Sequence, residues 1–386
     1  MRRIPLILFS LLLHGYVGLR LMPSLAGWSL AAPALGLLLA TSAWLLPFSL
    51  IGGKLRWAGA RTALAWSGML AMGLFSSLFV LTVLRDVLLL ASAALVALVA
   101  RLPGVLAPEW ITQITQATAW AVVAAATTVT VLGAWNARRT AAVVRVEVPV
   151  TDLPEALHGF TIAQISDVHV GPTIRGGYLQ AIVERVNGLQ ADMVAVTGDL
   201  VDGSVAELAG HVAPLAALRS RHGTFFVTGN HEYYSGAQAW ITELQRLDVR
   251  VLLNEHVVLR HGGSAVVVAG VTDHGAHHFD IAHRSNPPAA VQGAPLGAAL
   301  RLLLAHQPRS AMAALGLGFH LQLSGHTHGG QFWPWNLFVR LQQPFTAGLH
   351  RLQDLWIYTS RGTGYWGPPK RFGAPSEITC LRMVRP

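Results

Sequence analysis

The chain of 386 residues contains a single cysteine, Cys380. One thiol excludes an intrachain disulfide framework and gives no support for an oxidising compartment. Cys380 falls in Glu-Ile-Thr-Cys-Leu-Arg-Met, which reads as a strand, so a buried, inert thiol is expected. Acidic residues are nearly missing from the first 150 positions, where only Asp86, Glu109 and Glu147 face eleven Lys and Arg. Almost all of the net charge of +9 therefore arises there. Histidine is scarce in the same stretch: His14 is alone, and the other sixteen of seventeen follow residue 150. Neither a Gly-x-Ser-x-Gly elbow nor a Walker A loop occurs, so serine-nucleophile and P-loop chemistry lose their local signatures.

What the front of the chain does contain is long apolar runs. A membrane-spanning helix needs roughly 20 mostly apolar residues, and residues 28–50, 62–84 and 116–135 each supply them. A first run, 4–20, is shorter and interrupted by His14. A signal peptide is the competing reading of that run, but no small-residue cleavage site follows before Pro23, so an uncleaved first span is expected. Residues 87–102 are open between three placements: an extension of the third span, an interfacial segment, or a fifth span. The basic residues sit at the ends of the apolar runs, where they orient a membrane protein; nucleic acid is not an expected partner. Four spans put Arg2, Arg3, Lys54, Arg56, Arg61, Arg138, Arg139 and Arg145 on one side, and Arg20, Arg85 and Arg101 on the other. That asymmetry predicts a multi-pass protein of the inner (plasma) membrane with its C-terminal domain in the cytoplasm, and a fifth span would reverse the side. No charged pair inside the runs points to a transport path, so residues 1–140 read as an anchor.

After Arg145 the hydrophobic period changes from that of a helix to that of an alternating layer protein. Residues 141–150, 160–166, 193–197, 224–228, 265–271, 302–305 and 321–324 read as strands, and 177–189 and 208–218 as helices. The pattern predicts an α/β domain over 141–386. Five polar blocks follow short buried strands: Asp167-Val168-His169, Gly198-Asp199, Gly229-Asn230-His231-Glu232, His306, and Gly325-His326-Thr327-His328. Open α/β sheets place their ligand sites beyond the carboxyl ends of strands. The blocks together hold the carboxylates, imidazoles and amide oxygen that a pair of divalent ions needs to clamp a phosphoryl transfer. On an extended backbone, Asp167 and His169 point the same way, as do His326 and His328.

Taken with the longer strings Ile-Ser-Asp-Val-His-Val-Gly and Gly-His-Thr-His-Gly-Gly-Gln, these blocks resemble the calcineurin-like metallophosphoesterase superfamily, in its membrane-anchored bacterial branch. The resemblance covers about residues 145–385. It implies a four-layer αββα sandwich and a binuclear centre. It implies that Asp167, His169 and His328 bind one metal, that Asn230, His306 and His326 bind the other, and that Asp199 bridges them. It makes His231 a proton donor to the leaving group, with Glu232 behind the ligands. The mixed oxygen and nitrogen donors suit Mn, Fe or Zn better than Ca or Mg. The implied activity is hydrolysis of a phosphoester or pyrophosphate bond by a metal-bound hydroxide, with no protein nucleophile. Gly329-Gly330-Gln331 is expected to let backbone approach the metals. Ser360-Arg361-Gly362 and Lys370-Arg371-Phe372-Gly373 also resemble the family, and their basic residues are open between contacts to substrate phosphate or lipid headgroups and a solvated surface. His274, His277, His278 and His283 read as a solvated loop near the rim.

Three observations favour a lipid-linked substrate: an anchor larger than a tether requires, a short link at 137–142, and the aromatic run of Trp333, Trp335 and Phe338 around Pro334. Two other functions stay open. One is a phosphodiesterase or phosphatase acting on a soluble nucleotide or phosphoprotein. The other is a non-enzymatic membrane sensor or transporter whose metal domain regulates.

Overall fold

A computed structural model describes residues 3–27, 30–51, 58–99 and 108–386. The basic positions Arg2, Lys54, Arg56 and Arg101, residues 28–29 of the second run and 100–102 of the ambiguous one lie outside the described residues. The chain divides into two compact units: Met1–Trp135 with Gly367–Lys370, and Asn136–Trp366 with Arg371–Pro386.

Among the described residues, the first unit is built from four apolar helices, α1 (Arg3–Leu25), α2 (Ala31–Ile51), α3 (Ala58–Val99) and α4 (Pro108–Arg138), the last of which runs on past Trp135. All four are long and apolar enough to cross a membrane. The residues 87–99 of the ambiguous run prolong α3 without a break through Arg85 and Asp86. At 1.5 Å per residue α3 is about 63 Å long, roughly twice the thickness of a bilayer's hydrocarbon core. Leu, Val and Ala fill a core between the helices, with Val17, Leu21, Leu39, Leu78 and Val122 at its centre.

Two of the basic residues at the ends of the runs, Arg20 and Arg85, have an acidic partner within this unit. The Asp86 carboxylate accepts from Tyr16 Oη and Arg20 Nε, both at 2.7 Å, and from Arg85 Nη1 at 3.2 Å. Arg85, almost fully buried, also donates to Thr118 Oγ1 (3.1 Å) and to the Thr115 carbonyl (2.9 Å). His14, which interrupts the first run, is buried and satisfied: Nδ1 lies 2.7 Å from the Ser10 carbonyl, Nε2 lies 3.0 Å from Ser42 Oγ, and the ring stacks on Phe75.

The second unit contains two six-stranded mixed sheets. The strands are β1 (Ala142–Pro149), β2 (Thr161–Ile165), β3 (Met193–Val196), β4 (Thr224–Phe226), β5 (Val249–Val251), β6 (Glu255–His261), β7 (Ser264–Gly270), β8 (Leu300–Leu304), β9 (Leu321–Ser324), β10 (Gly348–Leu352), β11 (Leu355–Thr359) and β12 (Glu377–Val384). One sheet has the order β1-β12-β2-β3-β4-β5, the other β10-β11-β9-β8-β7-β6. Period-two alternation points successive side chains to opposite faces, and both faces are buried in the inner strands such as β3 and β9. Met193 and Ala195 of β3 meet Leu300, Leu302 and Leu304 of β8 in the core between the sheets. Val194 and Val196 point the opposite way, towards the helices α5 (Gly176–Asn187), α6 (Val205–Val212) and, after the short α7 (Asn230–Ser235), α8 (Ala237–Arg246). Leu303 and Ala305 cover the outer face of the second sheet with Ala290, Ala311 and Ala314. The result is the four-layer αββα sandwich that the family resemblance implies.

The expected helix 208–218 is α only as far as Val212, because Pro214 cannot continue the hydrogen-bond ladder; a 3₁₀ turn, Ala213–Ala217, follows. Cys380 on β12 is half-buried rather than buried, and burial raises its thiol pKa.

Candidate metal centre

The inner strands β2, β3 and β4 run parallel, as do β8 and β9, so the chain leaves each group at one edge. Asp167 and His169 follow β2, Asp199 follows β3, Asn230 opens α7 after β4, His306 follows β8, and His326 and His328 follow β9. The backbone there is not extended. Asp167, His169, Asp199, His326 and His328 all have left-handed φ, between 50° and 71°. The side chains converge because each strand ends in a sharp left-handed turn. For a residue with a Cβ, that conformation costs roughly 1–2 kcal/mol. Two glycines make room: a Cβ on Gly229 would collide with Asp199 Oδ1, and one on Gly325 with Ser166 Oγ and Asp167 Oδ2. Gly330, expected to admit backbone to the metals, instead makes room for the backbone of Asn336.

The side chains gather in two sets that share a border. Asp167, His169 and His328 form one set; Asp199, His306 and His326 form another; and His169, Asp199 and His231 overlap between them, the donor atoms of each set lying within 4.8 Å of one another. His169 Nε2 is 3.0 Å from His328 Nε2, and His328 Nε2 is 3.6 Å from Asp167 Oδ1. His306 Nε2 is 3.1 Å from His326 Nδ1 and 3.1 Å from Asp199 Oδ2. The same Oδ2 is 3.9 Å from His169 Nε2, so the Asp199 carboxylate lies between the sets. Asn230 Oδ1 is buried and has no hydrogen-bond partner among the described residues. An orphaned amide oxygen, two buried carboxylates and four buried or part-buried imidazoles fit a pair of divalent cations.

Behind the sets stand further polar residues, of which the sequence pattern does not single out Asp202. Asp202, three positions after Asp199, takes His169 Nδ1 at 3.0 Å and His231 Nδ1 at 2.6 Å. That contact fixes both rings and leaves their Nε2 atoms for other work. The only sequence signal for it is a second carboxylate close behind Gly198-Asp199. Glu232, fully buried, accepts from the amides of Gly229 (2.6 Å), Asp199 (3.0 Å) and Leu200 (2.8 Å), and so ties the β3 and β4 turns together. Arg371 is not on a solvated surface: it is 1% exposed, donates to the His328 carbonyl (2.9 Å) and has Nη2 3.0 Å from His328 Nδ1. Arg361 pairs with Glu377 at 2.8 Å. Of the four rim histidines, His283 meets Tyr233 Oη at 2.9 Å and His277 packs on His278, and they form no three-donor set among the described residues.

Charge in the centre is balanced internally. Burial works to raise Asp199, but the His306 imidazole outweighs it and holds the carboxyl well below its usual range. Burial raises Asp167 despite the pull of His306. Burial would lower His169, but the charge and hydrogen bond of Asp202 bring it up to about 9. His306 is likewise raised, by Asp199 against burial. Burial and His306 together bring His326 down to about 3, and burial with the Arg371 guanidinium lowers His328. Burial and Asp199 push Glu232 up to about 7.

The calcineurin-like phosphoesterase family pattern matches residues 160–330. A "Transmembrane protein with metallophosphoesterase domain" from Bos taurus is 40% identical over 267 residues, 66% of this chain and 60% of that protein. An uncharacterized metallophosphoesterase of Helicobacter pylori J99 is 40% identical over 226 residues, 58% and 59% of the two chains. An uncharacterized metallophosphoesterase of Aquifex aeolicus is 30% identical over 224 residues, 58% of this chain and 84% of that one. The chain thus matches about three fifths of the length of the first two relatives.

The charge balance sets a pH dependence. At pH 7 without metal, His169 and His306 carry protons while His326 and His328 do not, and an imidazole must be neutral to bind a cation. Binding of Mn²⁺ at pH 7 should therefore release protons, and affinity should rise with pH as His169, brought up to about 9, and His306 lose theirs. Calorimetric titrations in two buffers of different ionisation enthalpy measure the release; heats independent of buffer would count against this assignment.

Proposed function

The chain belongs to the calcineurin-like metallophosphoesterase family, and from that premise we propose that it is a membrane-anchored hydrolase of a phosphoester or pyrophosphate bond on a lipid-linked substrate. The observation that carries the hydrolytic reading is the pair of three-donor sets meeting at Asp199. Asp167, His169 and His328 would hold one divalent ion, Asn230, His306 and His326 the other, and Asp199 both. Two ions held there would lower the pKa of a bound water towards neutrality and clamp the attacking and leaving oxygens. His231, 15% exposed at its side chain and fixed through Nδ1 by Asp202, presents Nε2 as proton donor to the leaving oxygen. Asp202 accepts the Nδ1 proton and orients the ring, which leaves the Nε2–H of the imidazolium for that donation, and Glu232 and Arg371 hold the ligand turns in place.

Residues 1–140 form the anchor in this reading and residues 141–386 the catalytic domain. The unbroken α3 favours four spans over five. Four spans leave the basic majority, including Arg61, Arg138, Arg139 and Arg145, on the same side as the catalytic domain, hence in the cytoplasm beside the inner membrane. The lipid-linked substrate is supported by the loop after His326 and His328. There Trp333, Trp335, Leu337, Phe338 and Leu341 are all exposed, from 39% to 82%, as side chains that enter a membrane interface are.

Three outcomes test the proposal. Replacing Asp199 by Ala should lower turnover by about 10²–10³-fold or more, the scale of losing one charge-stabilising contact, and should take metal content below the two ions per chain expected of the wild type. Wild-type turnover in that variant would sink the bridge. A lipid phosphodiester in mixed micelles should be hydrolysed faster than its water-soluble headgroup analogue; equal rates would return the substrate to the soluble class. A fluorescent reporter fused after Pro386 should light up in the cytoplasm, and a periplasmic signal would mean an odd number of spans.

A further inference from the structure

We propose that the bond broken in this site is the one to the apolar alcohol of the substrate, and that Tyr234, Phe279 and Trp366 form the wall against which that leaving group lies. The inference rests on the hydrolase reading above, with His231 as the donor to the leaving oxygen.

The wall surrounds His231 itself. The His231 ring lies 5.1 Å from Tyr234 and 5.7 Å from Trp366, edge-on to both. Tyr234 continues into Phe279, with ring centroids 5.5 Å apart. These side chains are not core residues: Tyr234 is 62% exposed, and Phe279 and Trp366 are each 55% exposed. Ile281, 68% exposed and two residues on, adds apolar surface to the same loop.

The wall is also held in place. Tyr234 lies on α7, one turn beyond Asn230, so the helix that positions a metal-ligand candidate positions this ring too. Trp366 is clamped at both ends of its backbone by one side chain: its amide donates to Gln331 Oε1 at 2.8 Å, and its carbonyl accepts from Gln331 Nε2 at 2.9 Å. Gln331 is buried and stands three residues after His328. The metal loop therefore sets the distance of Trp366 from the centre. Flat apolar groups fixed around a proton donor, in a rim otherwise open to water, match a leaving group that is itself apolar.

The chemistry that follows is specific. A water oxygen forms a new bond to phosphorus, and the bond from phosphorus to the apolar alcohol oxygen breaks. The bonding pair leaves with that oxygen, which takes the proton from His231 Nε2; the proton of the attacking water returns through solvent to reset His231. The products are the free apolar alcohol and a phosphate that retains the polar substituent.

The test uses the full-length protein in detergent with Mn²⁺, and 2-(1-naphthyl)ethyl methyl phosphate in H₂¹⁸O. The expected products are naphthylethanol and ¹⁸O-labelled methyl phosphate. Trp366→Ala and Tyr234→Ala should each raise KM for this diester about three- to tenfold, the scale of one lost aromatic contact, with kcat within about threefold and metal content unchanged. Trp366→Phe should restore most of the loss. Release of methanol with naphthylethyl phosphate overturns the inference, and so does an unchanged KM in both alanine variants. Bis(p-nitrophenyl) phosphate separates the two levels of failure. If it is hydrolysed while the naphthyl diester is refused at both bonds, the leaving-group wall is wrong and the hydrolase stands. If neither is hydrolysed by protein loaded with two ions, the hydrolase reading falls and the inference with it.

Discussion

The second unit is organised around the position of one carboxylate. Asp199 Oδ2 lies 3.1 Å from one imidazole set and 3.9 Å from the other, with its carboxylate almost fully buried. An isolated buried carboxylate is too costly to keep ionised, so the surroundings must repay it. His306 does so directly, the His231 amide donates to Oδ1 at 2.9 Å, and the Asp199 amide is itself held by Glu232. Each compensation demands another: Glu232 needs three amides, His169 needs Asp202, and His328 stands against Arg371. A single buried anion thus accounts for most of the polar network behind the candidate ligands.

The same rule explains why the turns can be strained. Five candidate ligand residues sit in left-handed φ, at roughly 1–2 kcal/mol each. Loops alone would relax out of such conformations. Here each turn leaves a strand whose two faces are locked into close-packed layers, Met193 and Ala195 on one side and Val194 and Val196 on the other. The helical unit obeys the corresponding rule in apolar surroundings. His14 and Arg85 persist there because Ser10, Ser42, Asp86, Thr115 and Thr118 satisfy them locally.

The sequence makes the strand-end pattern legible because it repeats five times, each time as an apolar run closed by Asp, Asn or His. The α/β character follows from the same alternation, whereas the four-layer order comes from the family resemblance. What is not legible falls into three kinds. The left-handed turns leave no mark at a single Asp or His, since the residue types that tolerate them are the ligand types themselves. Asp202 looks like an ordinary charged position and Arg371 is legible only as part of a basic string of open role, and only folding brings them 3.0 Å from His169 and His328. Strand β5 has three residues, and the hairpin strands β6 and β10 are half-exposed, so their alternation is weak. Within the helices, Arg85 and Asp86 read as a break, yet α3 runs through them because neighbouring helices supply partners.

One tension remains in the second unit, and it bears on what the site takes in. The centre is polar and internally compensated, yet its mouth carries exposed Tyr234, Phe279 and Trp366, and the loop after the last candidate ligands exposes Trp333, Trp335 and Leu337. Exposed aromatic surface stabilises nothing in water, and scattered singly it would need no explanation. Here it is concentrated beside the imidazoles, and Gln331 spends both ends of its amide holding Trp366 there. A water-soluble phosphoester would gain little from such a rim. On the reading proposed above, a molecule with a phosphate at one end and hydrocarbon at the other would meet both the buried candidate ligands and the flat apolar rings beside His231.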